Sequence, residues 1–256
     1  MVAAQGTILL VASLAGIGLV PFLRRRPHLL AAGTAFAAGI LLPAIFIHML
    51  PEAMARSELA SVLFVLGFVG MLLLSQHVLK TDPCCDHEHA QHAGLPSYVA
   101  LALCSVNDGL IMGADVECGF ASTTLWAMVL HKVSSSFALV MLLASFGYQV
   151  HRLAGVLALV AFAAITPATL VLATQVEAIL PYTAILQALA SGAMLYAIAE
   201  TMLPRMEHAA RDRGSAALPA FLIAVLLSIA IEKLGHQHEH PGHVHADQGN
   251  QAEPRR

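Results

Sequence analysis

The sequence is poor in charged and aromatic residues: only 11% of its 256 residues are Asp, Glu, Lys or Arg, and only 6% are aromatic. Soluble domains carry about 25% charged residues. The hydrophobic fraction is 58% and the mean hydropathy is +0.74. A core of this size cannot hide so much apolar surface from water, so lipid is predicted to be the solvent for much of the chain. The formal net charge of −3 also argues against a nucleic-acid partner.

Cysteine is scarce as well: the chain has four, and two of them, Cys84 and Cys85, are adjacent. This arrangement suits metal or redox chemistry better than the spaced framework of a secreted disulfide protein. No basic residue precedes the first apolar run, which begins near Thr7, so this run is predicted to be a retained helix and not a secretory signal.

Apolar runs of spanning length are abundant. Each is near the roughly 20 residues that cross the hydrocarbon, and none alternates as barrel strands do. They lie at about 7–23, 30–50, 59–79, 95–113, 121–146, 152–174, 183–204 and 216–234. The sequence therefore predicts an all-α integral membrane protein, with eight transmembrane helices within residues 1–235.

The distribution of Lys and Arg in the short loops predicts the orientation. One set of loops is basic, with Arg24, Arg25, Arg26, Lys80, Arg152, Arg205, Arg211 and Arg213. The opposite short loops hold only Arg56. Because cytoplasmic loops carry the excess of positive charge, the basic set is predicted to be cytoplasmic and both termini to lie outside.

Two segments are rich in histidine and suited to weak metal capture. The first is a predicted cytoplasmic loop, about 81–94, which contains His87, His89 and His92. The second is the C-terminal tail, 236–256, which is predicted to be disordered.

An internal repeat relates the second and seventh predicted helices. Residues 39–51 align with residues 192–204, with Gly, Leu, Ala, Ile, Met, Leu and Pro matched at a constant offset. The predicted topology runs these helices in opposite directions, so the repeat is inverted. Inverted repeats are typical of secondary transporters, whose substrate site lies between the halves. Chance similarity of two apolar helices is the alternative.

The fourth and fifth predicted helices carry candidate metal ligands. Cys104 and Asp108 are four residues apart and share one helix face. An ionisable Asp inside a span is unfavourable and is a functional-site candidate by default. His131, in the next helix, offers an imidazole. Ser105, Asn107 and Ser135 are possible accessory residues beside these three.

Other polar residues allow two readings. Lys132 must pair, snorkel to the interface or occupy a place where a cation would otherwise sit, and Asp108 is a candidate partner. His48 and Glu52, near the outer end of the second predicted helix, either line an entrance or lie at the interface. Glu200 shares the seventh predicted helix with a proline and suits either a pathway or packing. Cys104 alone is more often a small buried hydrophobe.

Several of these motifs are similar to those of one membrane protein family. Residues 104–113, Cys-Ser-Val-Asn-Asp-Gly-Leu-Ile-Met-Gly, resemble the pattern His-Ser/Asn-x-x-Glu-Gly-x-Ala-x-Gly. His131-Lys132, Thr166-Pro167, the ending 48–52 and residues 190–204 fit the same family. The chain thus resembles the ZIP (zinc- and iron-regulated transporter-like) family of metal transporters over nearly all of its length.

The resemblance implies eight spans, an inverted-repeat bundle, in many members a homodimer, and a metal held between the fourth and fifth helices. Cys104 stands where the family has His, Asp108 stands where it has Glu, and His131 is unchanged. Ser135 replaces a second Glu, and Lys132 replaces a second-site ligand. The resemblance therefore implies one metal site that is softer than the family's.

The sequence predicts a carrier of a divalent transition metal, with zinc as the first candidate, moving into the cytoplasm. On this reading the chain is not an enzyme and needs no cofactor besides the transported ion. Two alternatives stay open. One is a membrane metalloenzyme, although the sequence has no His-Glu-x-x-His motif. The other is a metal sensor or binding protein that uses the histidine-rich segments.

Overall fold

A computed structural model describes residues 2–23, 27–78, 94–115, 122–145, 153–176, 182–210 and 216–238. These residues are almost entirely helical and contain no strand, which confirms the predicted all-α class. The α-helices are α1 Val2–Leu23, α2 Pro27–Pro43, α3 Leu50–Arg56, α4 Ala60–Leu73, α5 Gly94–Asp115, α6 Ser122–Ser145, α7 Leu153–Gln175, α8 Thr183–Ala197, α9 Leu203–Ala210 and α10 Ala217–His238.

Three short π-helical segments continue these helices without a break. They are Ala44–Met49, which joins α2 to α3, Leu74–Val78, which follows α4, and Ile198–Met202, which joins α8 to α9. The described residues therefore form eight continuous helical rods, at the positions of the eight predicted apolar runs. The second rod continues through Pro51 to Arg56, beyond the predicted end at residue 50.

Within the described residues, four helices are long and apolar enough to cross a membrane: Val2–Val20, Ala31–Arg56, Leu153–Gln175 and Thr183–Met202. Three shorter apolar stretches are Ala60–Gln76, Met128–Leu143 and Ala217–Ile231. Large apolar side chains such as Leu66, Val160 and Leu226 lie on the exposed surface, where water would be an unfavourable solvent. Composition, helix length and this surface are together those of a membrane protein.

Helix α5 is not among the apolar stretches, because it carries a polar face. Ser97, Ser105, Asn107 and Asp108 all lie on it, and all are buried. The polar side of α5 faces the protein interior, which is where ionisable groups of membrane helices are normally found.

Two of the π-helical segments occupy the same place in the repeated sequence. Each ends one residue before a Leu-Pro pair, Leu50-Pro51 or Leu203-Pro204, at which the α-helix resumes. Proline lacks an N–H and its ring clashes with the carbonyl four residues earlier, so the preceding turn widens. The two copies of the repeat thus share one local distortion, of a kind that is frequent at functional sites.

The glycines that begin the two copies are both points of close helix approach. A Cβ added to Gly39 would collide with the backbone of Phe221 in α10, and one added to Gly192 would collide with the backbone of Phe64 in α4. Helix α2 packs chiefly against α10 and α8 chiefly against α4, while α1 packs on α6 and α7 packs on α5.

We expect Gly192→Ala to destabilise the protein, because α8 cannot keep its distance from α4 with a methyl group at this position. Overpacking of this kind costs about 1–3 kcal/mol. Gly70→Ala is the matched control, since its added Cβ has nothing within 4 Å. Thermal unfolding in detergent should show a lower Tm for Gly192→Ala alone, and equal Tm values would contradict the close contact.

Both histidine-rich segments fall largely outside the described residues. The loop histidines His87, His89 and His92 lie there, as do residues 239–256 of the tail. The beginning of the predicted tail differs from expectation, because α10 continues to His238.

Candidate metal centre

Three of the predicted ligands meet in the interior of the bundle. Cys104 and Asp108 come from successive turns of α5, and His131 comes from the facing helix α6. Their exposed fractions are only 1%, 4% and 8%. Among the described residues, this is the one group of three His, Cys, Asp or Glu side chains whose ligand atoms lie close enough to share an ion.

Each pair of side chains in this group has ligand atoms at a spacing close to that around a tetrahedral ion. Cys104 Sγ lies 3.4 Å from His131 Nε2 and 3.8 Å from Asp108 Oδ1, and His131 Nε2 lies 3.7 Å from Asp108 Oδ2. Zinc bonds of about 2.3 Å to sulfur and about 2.0–2.2 Å to nitrogen or oxygen place such ligands roughly 3.4–3.6 Å apart. The three pairwise distances are within a few tenths of an ångström of this spacing, but they use both oxygens of Asp108. When each residue offers a single ligand atom, the three atoms all lie within 4.8 Å of one another.

Lys132 is also buried here, with an exposed fraction of 1%. Its Nζ donates hydrogen bonds to Asp108 Oδ2 at 2.8 Å and to Ser105 Oγ at 2.9 Å. The ammonium also lies 5.8 Å from the centre of the Phe162 ring, within range of a cation–π contact. Of the three predicted options the structure shows pairing, and the partner is Asp108. An incoming cation must therefore compete with an ammonium for one oxygen of this carboxylate.

Helix α7 packs against the part of α5 that carries Cys104 and Asp108. Thr166 Oγ1 donates a hydrogen bond of 2.9 Å to the carbonyl of Ser105. Gly109, which follows Asp108, leaves no room for a Cβ beside Thr166 and Thr169. This close contact holds one full turn of α5, from Ser105 to Gly109, against a neighbouring backbone. Groups that fix the orientation of a ligand in this way also tune its affinity for the metal.

The predicted accessory residues have different positions. Ser105 accepts the Lys132 hydrogen bond, and Ser135 donates to the carbonyl of Lys132 at 3.2 Å within its own helix. Asn107 is fully buried, and both atoms of its amide lack a hydrogen-bond partner among the described residues. Glu200 is exposed in the Ile198–Met202 segment and does not join the group.

His48 and Glu52 are not among the three grouped ligands. They belong to what we call the Glu52 cluster, defined as His48, Glu52, Arg56 and Gln187. Arg56 Nη2 donates to Glu52 Oε1 at 2.6 Å, and Gln187 Nε2 donates to Glu52 Oε2 at 2.9 Å. His48 Nε2 lies 3.7 Å from the same Oε2. The cluster joins the second rod to α8.

Sequence reasoning missed Gln187, which is 135 positions from its partner Glu52. The signal that the sequence offered was a polar amide within an otherwise apolar predicted helix, since such a group needs a partner when it is buried. The role of Ser105 as an acceptor for Lys132 was missed as well, although both residues had been singled out.

The donor set of the central group is one thiol sulfur, one imidazole nitrogen and one carboxylate oxygen. Such a mixture suits zinc and other borderline-soft divalent ions better than magnesium or calcium, which prefer oxygen alone. Comparison of the chain with protein-family models and with curated proteins finds no match, so a functional assignment depends on the geometry described above.

Proposed function

We propose that this chain is a membrane transporter of a divalent transition-metal ion, with zinc as the first candidate, and that it moves the ion toward the cytoplasm. The observation that carries the proposal is the buried set of Cys104, Asp108 and His131, whose ligand atoms all lie within 4.8 Å of one another inside a bundle of apolar helices. The resemblance of its motifs to those of the ZIP family supports the same function.

Helix packing supports transport over static binding. If an inverted repeat relates α1, α2 and α4 to α7, α8 and α10, it also exchanges α5 with α6. Under this exchange, the α2–α10 contact corresponds to the α8–α4 contact. The α1–α6 contact corresponds in the same way to the α7–α5 contact. All four contacts are among the most extensive in the protein. Eight spans with such a repeat would place the site between two halves that can move against each other.

Each side chain at the centre has a different role in holding the ion. The Cys104 sulfur and the Asp108 carboxylate supply negative charge, and the neutral His131 ring supplies a nitrogen. Lys132 balances Asp108 before the ion arrives and must give up Oδ2, or share it, when the ion binds. A carboxylate with this second cation nearby holds a metal less tightly than a free one, which favours release after binding.

The test is zinc uptake into liposomes that contain the purified full-length protein and an internal zinc indicator. We expect His131→Ala to lower the initial rate by about 10-fold or more, the usual cost of damaging a metal site. Ser135→Ala is the matched control on the same helix, and it should stay close to the parent because Ser135 bonds to its own backbone.

Two results would contradict the proposal. One is uptake by His131→Ala at the parental rate, which would remove this residue from the pathway. The other is binding of about one zinc per chain without accumulation in the liposome lumen, which would indicate a resident metal in a metalloenzyme or a sensor.

A further inference from the structure

The Glu52 cluster contains an unusual polar group that the central site does not use. Gln187 is fully buried, and its carbonyl oxygen Oε1 has no hydrogen-bond partner among the described residues. Its amide nitrogen meanwhile bonds to Glu52 Oε2. A buried carbonyl without a donor is unfavourable, and each such group in a native protein calls for an explanation, such as a ligand.

We propose that His48, Glu52 and Gln187 form a second site for a divalent cation, where the second rod meets α8. The site takes one imidazole nitrogen and two oxygens, one from a carboxylate and one from an amide. It contains no sulfur, and so differs in chemistry from the site at Cys104.

His48 and Gln187 both face the same carboxylate oxygen, Glu52 Oε2. His48 Nε2 is 3.7 Å from Glu52 Oε2, the same separation that relates His131 and Asp108 in the central site. Rotating the Gln187 amide by half a turn exchanges its nearly isosteric nitrogen and oxygen ends. Oε1 would then lie near the present Nε2 position, 2.9 Å from Glu52 Oε2. Two oxygens bound at about 2.1 Å and at right angles to each other are about 3.0 Å apart.

The rotation has a physical cause. Without a cation, the amide must point its N–H toward the carboxylate, and the carbonyl is left unpaired. With a cation on Oε2, the carbonyl turns to the ion and the amide nitrogen takes its place. The rotation moves the amide nitrogen to the position where the buried carbonyl now has no partner, so the attraction between the carbonyl oxygen and the ion is what drives it.

Arg56 limits how tightly the site can bind. Its guanidinium holds Glu52 Oε1 at 2.6 Å, which leaves only Oε2 for the ion and cancels much of the carboxylate charge. The side chains of His48 and Arg56 are 36% and 41% exposed, and they lie near the end of the candidate span Ala31–Arg56. The result is a site for capture and release. Its role as a capture station on a transport route rests on the proposed function, whereas cation binding itself does not.

Protection of His48 from diethylpyrocarbonate by zinc tests the site in the detergent-solubilised full-length protein. Mass spectrometry reads each histidine peptide separately, so the histidine-rich loop and tail do not interfere. We expect zinc to protect His48, both in the parent and in an Asp108→Ala/Lys132→Met variant that lacks the central carboxylate. Gln187→Met should raise the zinc concentration for half-protection by about 10-fold or more.

Two further variants separate a ligand from a structural hydrogen bond. Gln187→Glu places a second carboxylate beside Glu52, so a ligand role predicts protection at an equal or lower zinc concentration than in the parent. Glu58→Gln, in the exposed turn after α3, is the matched control and should leave the concentration unchanged.

The proposal is overturned if zinc does not protect His48 in the parent, or if Gln187→Glu loses protection as Gln187→Met does. Neither result bears on the transport proposal, because that proposal is tested by zinc flux into liposomes. Conversely, protection of His48 in a protein that moves no zinc would uphold this site and contradict transport.

Discussion

Replacing Asp108 by alanine should abolish zinc uptake and also weaken the fold, because one carboxylate serves two partners. Oδ1 faces the sulfur of Cys104, while Oδ2 accepts a hydrogen bond from the buried ammonium of Lys132. The variant removes a metal ligand and leaves an uncompensated charge in the bundle. Removing one partner of a buried ion pair costs about 3–5 kcal/mol. Uptake in liposomes and the Tm in detergent should both fall.

The double variant Asp108→Ala/Lys132→Met separates these two losses. Replacing a buried ion pair by apolar side chains is often neutral for stability, so its Tm should return toward that of the parent. Its zinc uptake should remain absent, since the ligand is still missing. Parental uptake by the double variant would exclude Asp108 from the site. A Tm for Asp108→Ala equal to the parental Tm would show that Lys132 does not depend on this carboxylate.

Helix positions were predictable from the sequence because the signal for them is local. A run of about 20 apolar residues indicates a helix of spanning length without knowledge of its neighbours. One boundary differs from the prediction. The second apolar run predicted a helix end near residue 50, but the chain widens into the Ala44–Met49 segment and continues as an α-helix through Pro51 to Arg56. Proline is tolerated there because the wider turn before it accommodates the ring and the missing N–H.

The central site was predictable only in part. Cys104 and Asp108 are one turn apart, so helix periodicity alone places them together. Their approach to His131 depends on how α5 packs against α6, and the partner of Lys132 depends on the same packing. The contact of Gln187 with Glu52 joins helices distant in sequence, and no local spacing encodes it. Pattern reasoning thus identifies which polar residues need partners, while tertiary packing decides which partners they get.

Lys132→Met is expected to convert a weak metal site into a tight one whose occupancy maintains the fold. Without the ammonium, Oδ2 of Asp108 no longer holds a cation, and the carboxylate is left buried without a counterion. The metal-free variant should be less stable than the parent, by about 3–5 kcal/mol on the same reasoning as for Asp108→Ala. Zinc then replaces the missing cation and no longer has to displace one.

Zinc titrations of the Tm measure this change. A ligand that binds only the folded state stabilises it by RT ln(1 + [L]/Kd), so each tenfold gain in affinity adds about 1.4 kcal/mol at saturating zinc. The shift of Tm with zinc should therefore be much larger for Lys132→Met than for the parent. Ser105→Ala is the control, since it removes one hydrogen bond of the ammonium but keeps its charge.

Uptake by Lys132→Met should be slower than that of the parent despite tighter binding, because release becomes limiting. Equal zinc shifts in variant and parent would show that the ammonium of Lys132 does not compete with the metal.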